Sequence, residues 1–293
     1  MNARACRRWR RGCAGAALMA ALALACAMAS AAAAAAPAAA APPQGLNIYA
    51  TDIPPVAFQD GDHADGMLVE VAMLIQGRLG RHDAIQVVPW ARAYAMEEKG
   101  PNVLLLGMVR TPQRERAGKI TFVGPLFTST AGVYARHGDA ARLQALGDKI
   151  HQLRIGARRN SIFAELAHKQ GYTDVDPTVN SEVAANMLLM RRFDLWVEGS
   201  EVVPSALQRN GYLPSDVELV TTLGSVDVYF AFSAGTPAAT SKAWDDALRE
   251  LKRDGQFQKV YRKWLLTDPP RLETRHSATR PGRISGPSLV LLW

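Results

Sequence analysis

Three arginines, Arg110, Arg114 and Arg116, follow the apolar run Val103 to Leu106, with Thr111 between the first two. A short apolar run bounded by turn residues suits a buried strand, so these cations sit on a loop at a strand end. In open α/β sheets ligands bind in the crevice at such ends. A guanidinium there offers a planar fork of donors that matches a carboxylate. Taken alone, the cluster also fits a solvated basic loop. A second anion-binding feature lies at Asn160-Ser161, where either residue is a natural N-cap for the amphipathic helix Ile162 to Gln170. The free N–H groups of a helix start, with its dipole, favour an anion. Capping alone explains Ser161 equally, and the two roles are compatible.

Other chemistries find little footing. There is no G-x-S-x-G elbow, no H-E-x-x-H and no P-loop. The six histidines, His63, His82, His137, His151, His168 and His276, are scattered and none is paired at metal spacing. They are expected at the surface. Asp60, Asp62 and Asp65 cluster in a polar turn but lack the terminal Glu of an EF-hand loop, which leaves a solvated turn. No catalytic residue, metal or cofactor is therefore expected.

The elements that must position the arginines run in a clear order. Leu46 to Ala50 reads as a strand, Thr51 to Phe58 as a loop and Asp60 to Gly66 as a turn. Met67 to Leu79 is a helix with Leu68, Val71, Ala72 and Ile75 on one face, stopped by Gly80. Ile85 to Pro89 is a strand, and Trp90 to Lys99 a helix. With Val103 to Leu106 this is a βαβαβ order, which implies a parallel sheet. Trp90 and Arg92 then stand at a strand end. Either they face the arginine crevice, or Trp90 packs under the loop and Arg92 is a solvated helix residue. Further on, Ile120 to Val123 is punctuated by Gly124-Pro125, and Thr128 to Tyr134 is β-like. A short helix is expected within His137 to Gln152, another over Ser181 to Met190, and a strand over Phe193 to Gly199. Leu219 to Leu223 and Asp227 to Ser233 read as strands, Ala243 to Leu251 and Gly255 to Leu265 as helices.

The two ends differ from the body. Arg4 to Arg11 precede an apolar run, Cys13 to Met28, with Ala29-Ser30-Ala31 as a cleavage site, which is the layout of an export signal. An Ala/Pro spacer follows, so residues 1–41 are set apart from the fold. All three cysteines, Cys6, Cys13 and Cys26, lie in this segment, and the body is left with no disulfide or thiolate chemistry. Leu22 to Cys26 resembles a lipoprotein box, which would tether the chain through Cys26. Residues 269–293 are rich in Pro, Arg, Ser and Gly and are expected to be disordered. The formal charge of the 293-residue chain is +7, but Arg4, Arg7, Arg8, Arg10, Arg11, Arg271, Arg275, Arg280 and Arg283 lie in its ends. The body is near neutral, which excludes a nucleic-acid partner.

Thr111-Pro-Gln-Arg114-Glu-Arg, followed by Phe122 and Gly124-Pro-Leu, resembles the T-x-x-R…F-x-x-P segment of family 3 solute-binding proteins, the polar amino-acid-binding type of ABC importers. Thr51, Asp52, Phe58 and Gly66 fit its opening, Arg192 to Trp196 its G-R-x-D segment, and Ala247 to Leu265 its closing helices. The resemblance covers about residues 46–266. It implies an α/β, type II periplasmic-binding-protein fold of two lobes with two hinge crossings. Lobe 1 would be 45–134 plus 228–268 and lobe 2 135–227, with crossings near Tyr134–Arg136 and Ser225–Asp227. It also implies that Arg114 clamps a ligand carboxylate, with Thr111 beside it and Ser161 contacting the same group. Where the family often has an Asp for the ligand's ammonium, this chain has Gly199, with Glu198 one residue earlier as the substitute. Trp90 or Trp196 would supply stacking. The implied protein is a periplasmic monomer that captures a small carboxylate by hinge closure and delivers it to an inner-membrane ABC permease. Two alternatives are a dehydratase-like enzyme of this fold, using Glu198 as acid or base, and a ligand-binding sensor.

Overall fold

A computed structural model describes residues 45–117 and 119–265. The export segment with Cys26 and the tail 269–293 lie outside the described residues. Ten strands and nine α-helices are described here. The strands are β1 (Asn47–Ala50), β2 (Phe58–Asp60), β3 (His63–Asp65), β4 (Ile85–Val87), β5 (Val103–Val109), β6 (Thr121–Arg136), β7 (Ile155–Arg158), β8 (Val175–Thr178), β9 (Leu195–Gly199) and β10 (Val217–Phe232). The helices are α1 (Met67–Arg78), α2 (Trp90–Lys99), α3 (Pro112–Ala117), α4 (Ala140–Gln144), α5 (Ile162–Lys169), α6 (Ser181–Leu189), α7 (Val203–Gln208), α8 (Ala238–Arg253) and α9 (Gln256–Leu265).

Eight strands form one mixed sheet in the order β4-β1-β5-β10-β6-β9-β7-β8. Two parallel sets, β4-β1-β5 and β9-β7-β8, flank a central antiparallel pair, β6 and β10. The register shows what this arrangement does. Val109, the last residue of β5, pairs with Val228, which pairs with Phe127. Gly199, the last residue of β9, pairs with Ala131. Since β5 runs with β6 and β9 runs against it, the carboxyl ends of the two parallel sets point at one another. Only the four residue steps from Phe127 to Ala131 separate them, roughly 13 Å of strand.

The buried side chains divide at the same place. One cluster joins Ile48, Leu104, Leu106 and Phe127 to α1 residues Leu68, Val71, Ala72 and Ile75 and to Trp244, Leu248 and Phe257 of α8 and α9. The α1 stripe is the one its spacing predicts. Phe230 and Phe232 meet Trp244 edge-on at 5.7 and 5.8 Å. Beyond Phe127 a second cluster joins Ala131, Val133, Ile155, Phe163, Leu195 and Val197, and a third joins Ala184, Leu188, Phe193 and Trp196. Gly156 is dictated by this packing: a Cβ there would lie 2.1 Å from the Phe193 ring.

Several elements differ from the sequence expectation. Ile120–Val123 and Thr128–Tyr134 are one strand, β6, because β10 pairs along both stretches. The register steps between Val228 and Phe230, opposite Gly124–Leu126, so the Gly-Pro punctuation is a bulge rather than a break. The pairing also corrects the first crossing. Ser225–Asp227 lies beside Thr128–Thr130, not beside Tyr134–Arg136, which pairs with Val217–Leu219. The loop and polar turn before α1 contain the β2–β3 hairpin. The arginine loop contains α3, and β8 and α7 occupy stretches with no expected element.

Candidate functional site

Arg114 sits in α3, just beyond the end of β5. Its Nη1 donates to the Val109 carbonyl at 2.6 Å. Its guanidinium carbon lies 5.7 Å from the Trp90 ring centre and 5.8 Å from that of Tyr94. The first turn of α2 therefore supplies an aromatic cradle that fixes the half-buried guanidinium at the strand end. Trp90 and Tyr94 pack on each other at 5.9 Å. Thr111 Oγ1 accepts from the Arg114 amide at 3.3 Å, so Thr111 caps the short helix that carries the arginine. Arg110 turns to the other side, pairs with Glu115 and lies over Phe122 and Tyr229 at 5.9 and 5.8 Å. The basic cluster is thus three side chains in three settings, since Arg116 is exposed. Arg92 is exposed as well, with no polar partner among the described residues. Trp90 and Arg114 are brought together; Arg92 does not join them.

Across the Phe127–Ala131 stretch, Ser161 is buried and caps α5, its Oγ accepting from the Ala164 amide at 3.1 Å. Asn160 before it takes a left-handed φ of 58°, which an asparagine tolerates. Ser161→Ala is expected to cost about 1 kcal/mol of stability, measured by urea unfolding, because the cap is lost. Arg158, at the end of β7, has a buried Nε without a hydrogen-bond partner.

Two expected contacts need correction. Glu198 is fully buried on the other face of β9, where its carboxylate accepts from Ser181 Oγ at 2.5 Å and from the Gly199 amide at 3.0 Å. Both of its oxygens serve the fold, as expected from the alternation of side chains along a strand. Trp196 is also fully buried, 6.0 Å from Tyr134, and cannot stack on a ligand.

Sequence reasoning missed Glu201. Its Oε2 accepts from Ser129 Oγ at 2.9 Å, at the stretch of β6 between the two sets of strand ends. Burial pushes its carboxyl up to about 7, against the lowering effect of its own amide, Ser129 and Arg158. Burial, then the charges of Glu201 and Glu198, push the neighbouring Tyr134 phenol up to about 12. The only sequence signal was an acid two residues beyond a strand that ends in glycine. Asp60, His63 and Asp65 also converge, with ligand atoms within 4.8 Å, but on the exposed hairpin turn rather than here.

Two α/β halves sharing one sheet, with opposed strand ends, define the type II periplasmic-binding-protein fold. The model for bacterial extracellular solute-binding proteins, family 3, matches residues 47–267, and the chain belongs to that family. Among solved structures it is similar to a histidine kinase sensor domain resembling periplasmic binding proteins, at 21% identity and a TM-score of 0.67, covering 78% of this chain and 98% of that one. It is similar to the arginine-, lysine-, histidine-binding protein ArtJ of Geobacillus stearothermophilus, at 17% identity and TM-score 0.61, covering 77% and 97%. A third is an ancestral amino acid-binding protein, a precursor of cyclohexadienyl dehydratase, at 20% identity and TM-score 0.61, covering 76% and 96%. At these identities the likeness is one of fold. Comparison with curated proteins gives no significant match. No helix among the described residues is long and apolar enough to cross a membrane.

Proposed function

We propose that the protein is an extracytoplasmic binding protein that captures a small carboxylate-bearing solute between its two halves and hands it to an inner-membrane ABC permease. The observation that carries this is Arg114, cradled by Trp90 and Tyr94 at the end of β5. Carboxylate oxygens take its free N–H groups, and the start of α5 at Ser161 supplies further donors from the other half. A ligand touching both halves favours the closed form by its differential contacts. Closure bends the chain at Thr128–Thr130 and Ser225–Asp227. In this reading the chain is exported to the periplasm, acts as a monomer and binds without turnover.

Thermal unfolding against amino acids, dicarboxylates and small aromatic acids tests this directly, since a compound that binds the native state raises the midpoint. A rise with at least one acid, and recovery of that acid intact, is the expected outcome. No rise with any acid would refute the proposal, and conversion of the acid would show an enzyme instead. The likeness to a histidine kinase sensor domain favours a second reading, a binding module that reports ligand rather than delivering it. Loss of uptake on deleting an adjacent permease would separate the two.

A further inference from the structure

Helix α7 belongs by its core face to the half built on β9-β7-β8, yet both of its ends meet the half built on β4-β1-β5. Val203, Ala206 and Leu207 are buried with Leu188 and Trp196 in the third cluster. The residue before the helix goes elsewhere. The Val202 amide donates to the Gly199 carbonyl at 2.9 Å, a turn that reverses the chain directly after β9. Val202 is thereby buried among side chains of the first half, in the cluster of Ile48, Leu68 and Phe127. The residue after the helix, Arg209, sets its guanidinium carbon 5.0 Å from the centre of the Phe58 ring on β2. The six-residue helix between them keeps the two contacts roughly 10 Å apart.

These contacts differ in leverage. Val202 follows Glu201, whose carboxylate accepts from Ser129 on the strand that passes between the halves. It therefore sits near the axis about which the halves turn and acts as a pivot. Arg209 lies a helix length further out, where the same rotation moves a side chain more. Phe58 is itself braced. It meets Trp264 of α9 edge-on at 5.8 Å, and Trp264 Nε1 donates to Glu70 Oε2 of α1 at 2.8 Å. The ring that Arg209 covers is thus fixed to the body of the first half.

We propose that Arg209 on the Phe58 ring is a latch between the halves, with Val202 as its pivot, and that it keeps a substantial fraction of the ligand-free protein closed. The inference concerns the hinge rather than the ligand, so it goes beyond the capture proposed above and does not depend on Arg114. The contact is made while the halves meet and is lost as they part, so it biases the open–closed equilibrium whatever occupies the cleft. A cation over a ring face at an exposed site shifts such an equilibrium by about two- to fivefold.

Spin labels at two exposed positions, Lys99→Cys in the first half and Lys169→Cys in the second, read the separation of the halves in the ligand-free mature chain. Cys6, Cys13 and Cys26 lie in the export segment, so the labels take the only thiols. Pulsed dipolar spectroscopy should show both a short and a long separation. Arg209→Ala should lower the short-to-long ratio about two- to fivefold. Phe58→Leu keeps apolar bulk against Trp264 but removes the ring face, and should do the same. Arg209→Lys keeps a cation for the ring and should fall between. The double variant Arg209→Ala, Phe58→Leu should open no further than either single change, because the two side chains act through one contact. Urea unfolding shows that each variant is folded before its distances are read. An unchanged ratio in Arg209→Ala, additive opening in the double variant, or the long separation alone in the wild type would overturn the latch. None of these results bears on Arg114, whose role is read from carboxylate binding.

Discussion

Arg114→Ala is expected to weaken binding of any carboxylate ligand by about 10- to 150-fold while the protein stays folded. A charge-assisted contact of this kind contributes on the order of 1.5–3 kcal/mol, and each 1.4 kcal/mol is tenfold in affinity. The same side chain does little for the fold. It is half-buried, donates once to Val109, and otherwise touches the rings of Trp90 and Tyr94. Its loss should cost about 1 kcal/mol of stability, the worth of one such hydrogen bond. Arg114→Lys should also bind poorly, because an ammonium is a point charge that cannot fork onto two oxygens. Arg116→Ala, on the exposed side of the same short helix, is the control and should bind normally. Calorimetry on the three variants decides the matter, and an unchanged affinity in Arg114→Ala would remove this residue from the site.

For the proposed function, the same magnitudes mean that the arginine alone is not enough to close the two halves on a ligand. Taking an open-to-closed ratio from 1:99 to 99:1 needs about 5.5 kcal/mol of differential binding. Stacking on Trp196 cannot supply the difference, because that ring is buried in the core beyond Phe127. Trp90 is already engaged with the guanidinium. What remains is the half that carries Arg158, Ser161 and Glu201, and it is there that affinity and selectivity must be sought.

Local patterns were enough to place Arg114 at a strand end. The apolar run of β5, the turn residues after it and the helix from Trp90 to Lys99 are each short-range signals, and together they put a cation at a strand end. The acid in the other half was not legible, for a physical reason. Glu198 lies within β9 and Glu201 in the turn beyond it, and where the second carboxyl lands depends on the chain folding back after Gly199. The burial of Trp196 and the continuity of β6 through Gly124-Pro125 were hidden for the same cause. Both are decided by strands distant in sequence, β10 above all, and no local propensity reports them.

Arg136→Ala is expected to lower the unfolding free energy by roughly 3–5 kcal/mol, since it leaves two buried carbonyls without this donor at about 1–3 kcal/mol each and removes a part-buried ion pair. Arg136 ends β6 and is buried. Its Nη1 donates to the carbonyls of Leu188 and Phe193, both at 3.0 Å, and its Nε donates to Asp139 at 3.0 Å. Nη2 stands 3.6 Å from Asp194. One guanidinium thus ties the end of α6 and the approach to β9 onto β6, and β9 is the strand that presents Gly199. Without it, the two carbonyls lose this donor where water has little access, and Asp139 is left with Arg142 alone. Desolvation raises the Asp139 carboxyl, but Arg142 and Arg136 outweigh this and hold it below its ordinary value. Stability from that carboxylate is present above the ordinary carboxylate range and lost as pH falls through it, so the gap between wild type and variant should narrow in acid. Arg136→Lys should be intermediate, because one ammonium cannot span all three acceptors. Urea unfolding followed by tryptophan fluorescence at pH 7 and pH 4 reads these differences. A loss below about 1 kcal/mol at pH 7 would mean that neighbouring groups replace the staple, and that β9 is held in place by its core packing alone.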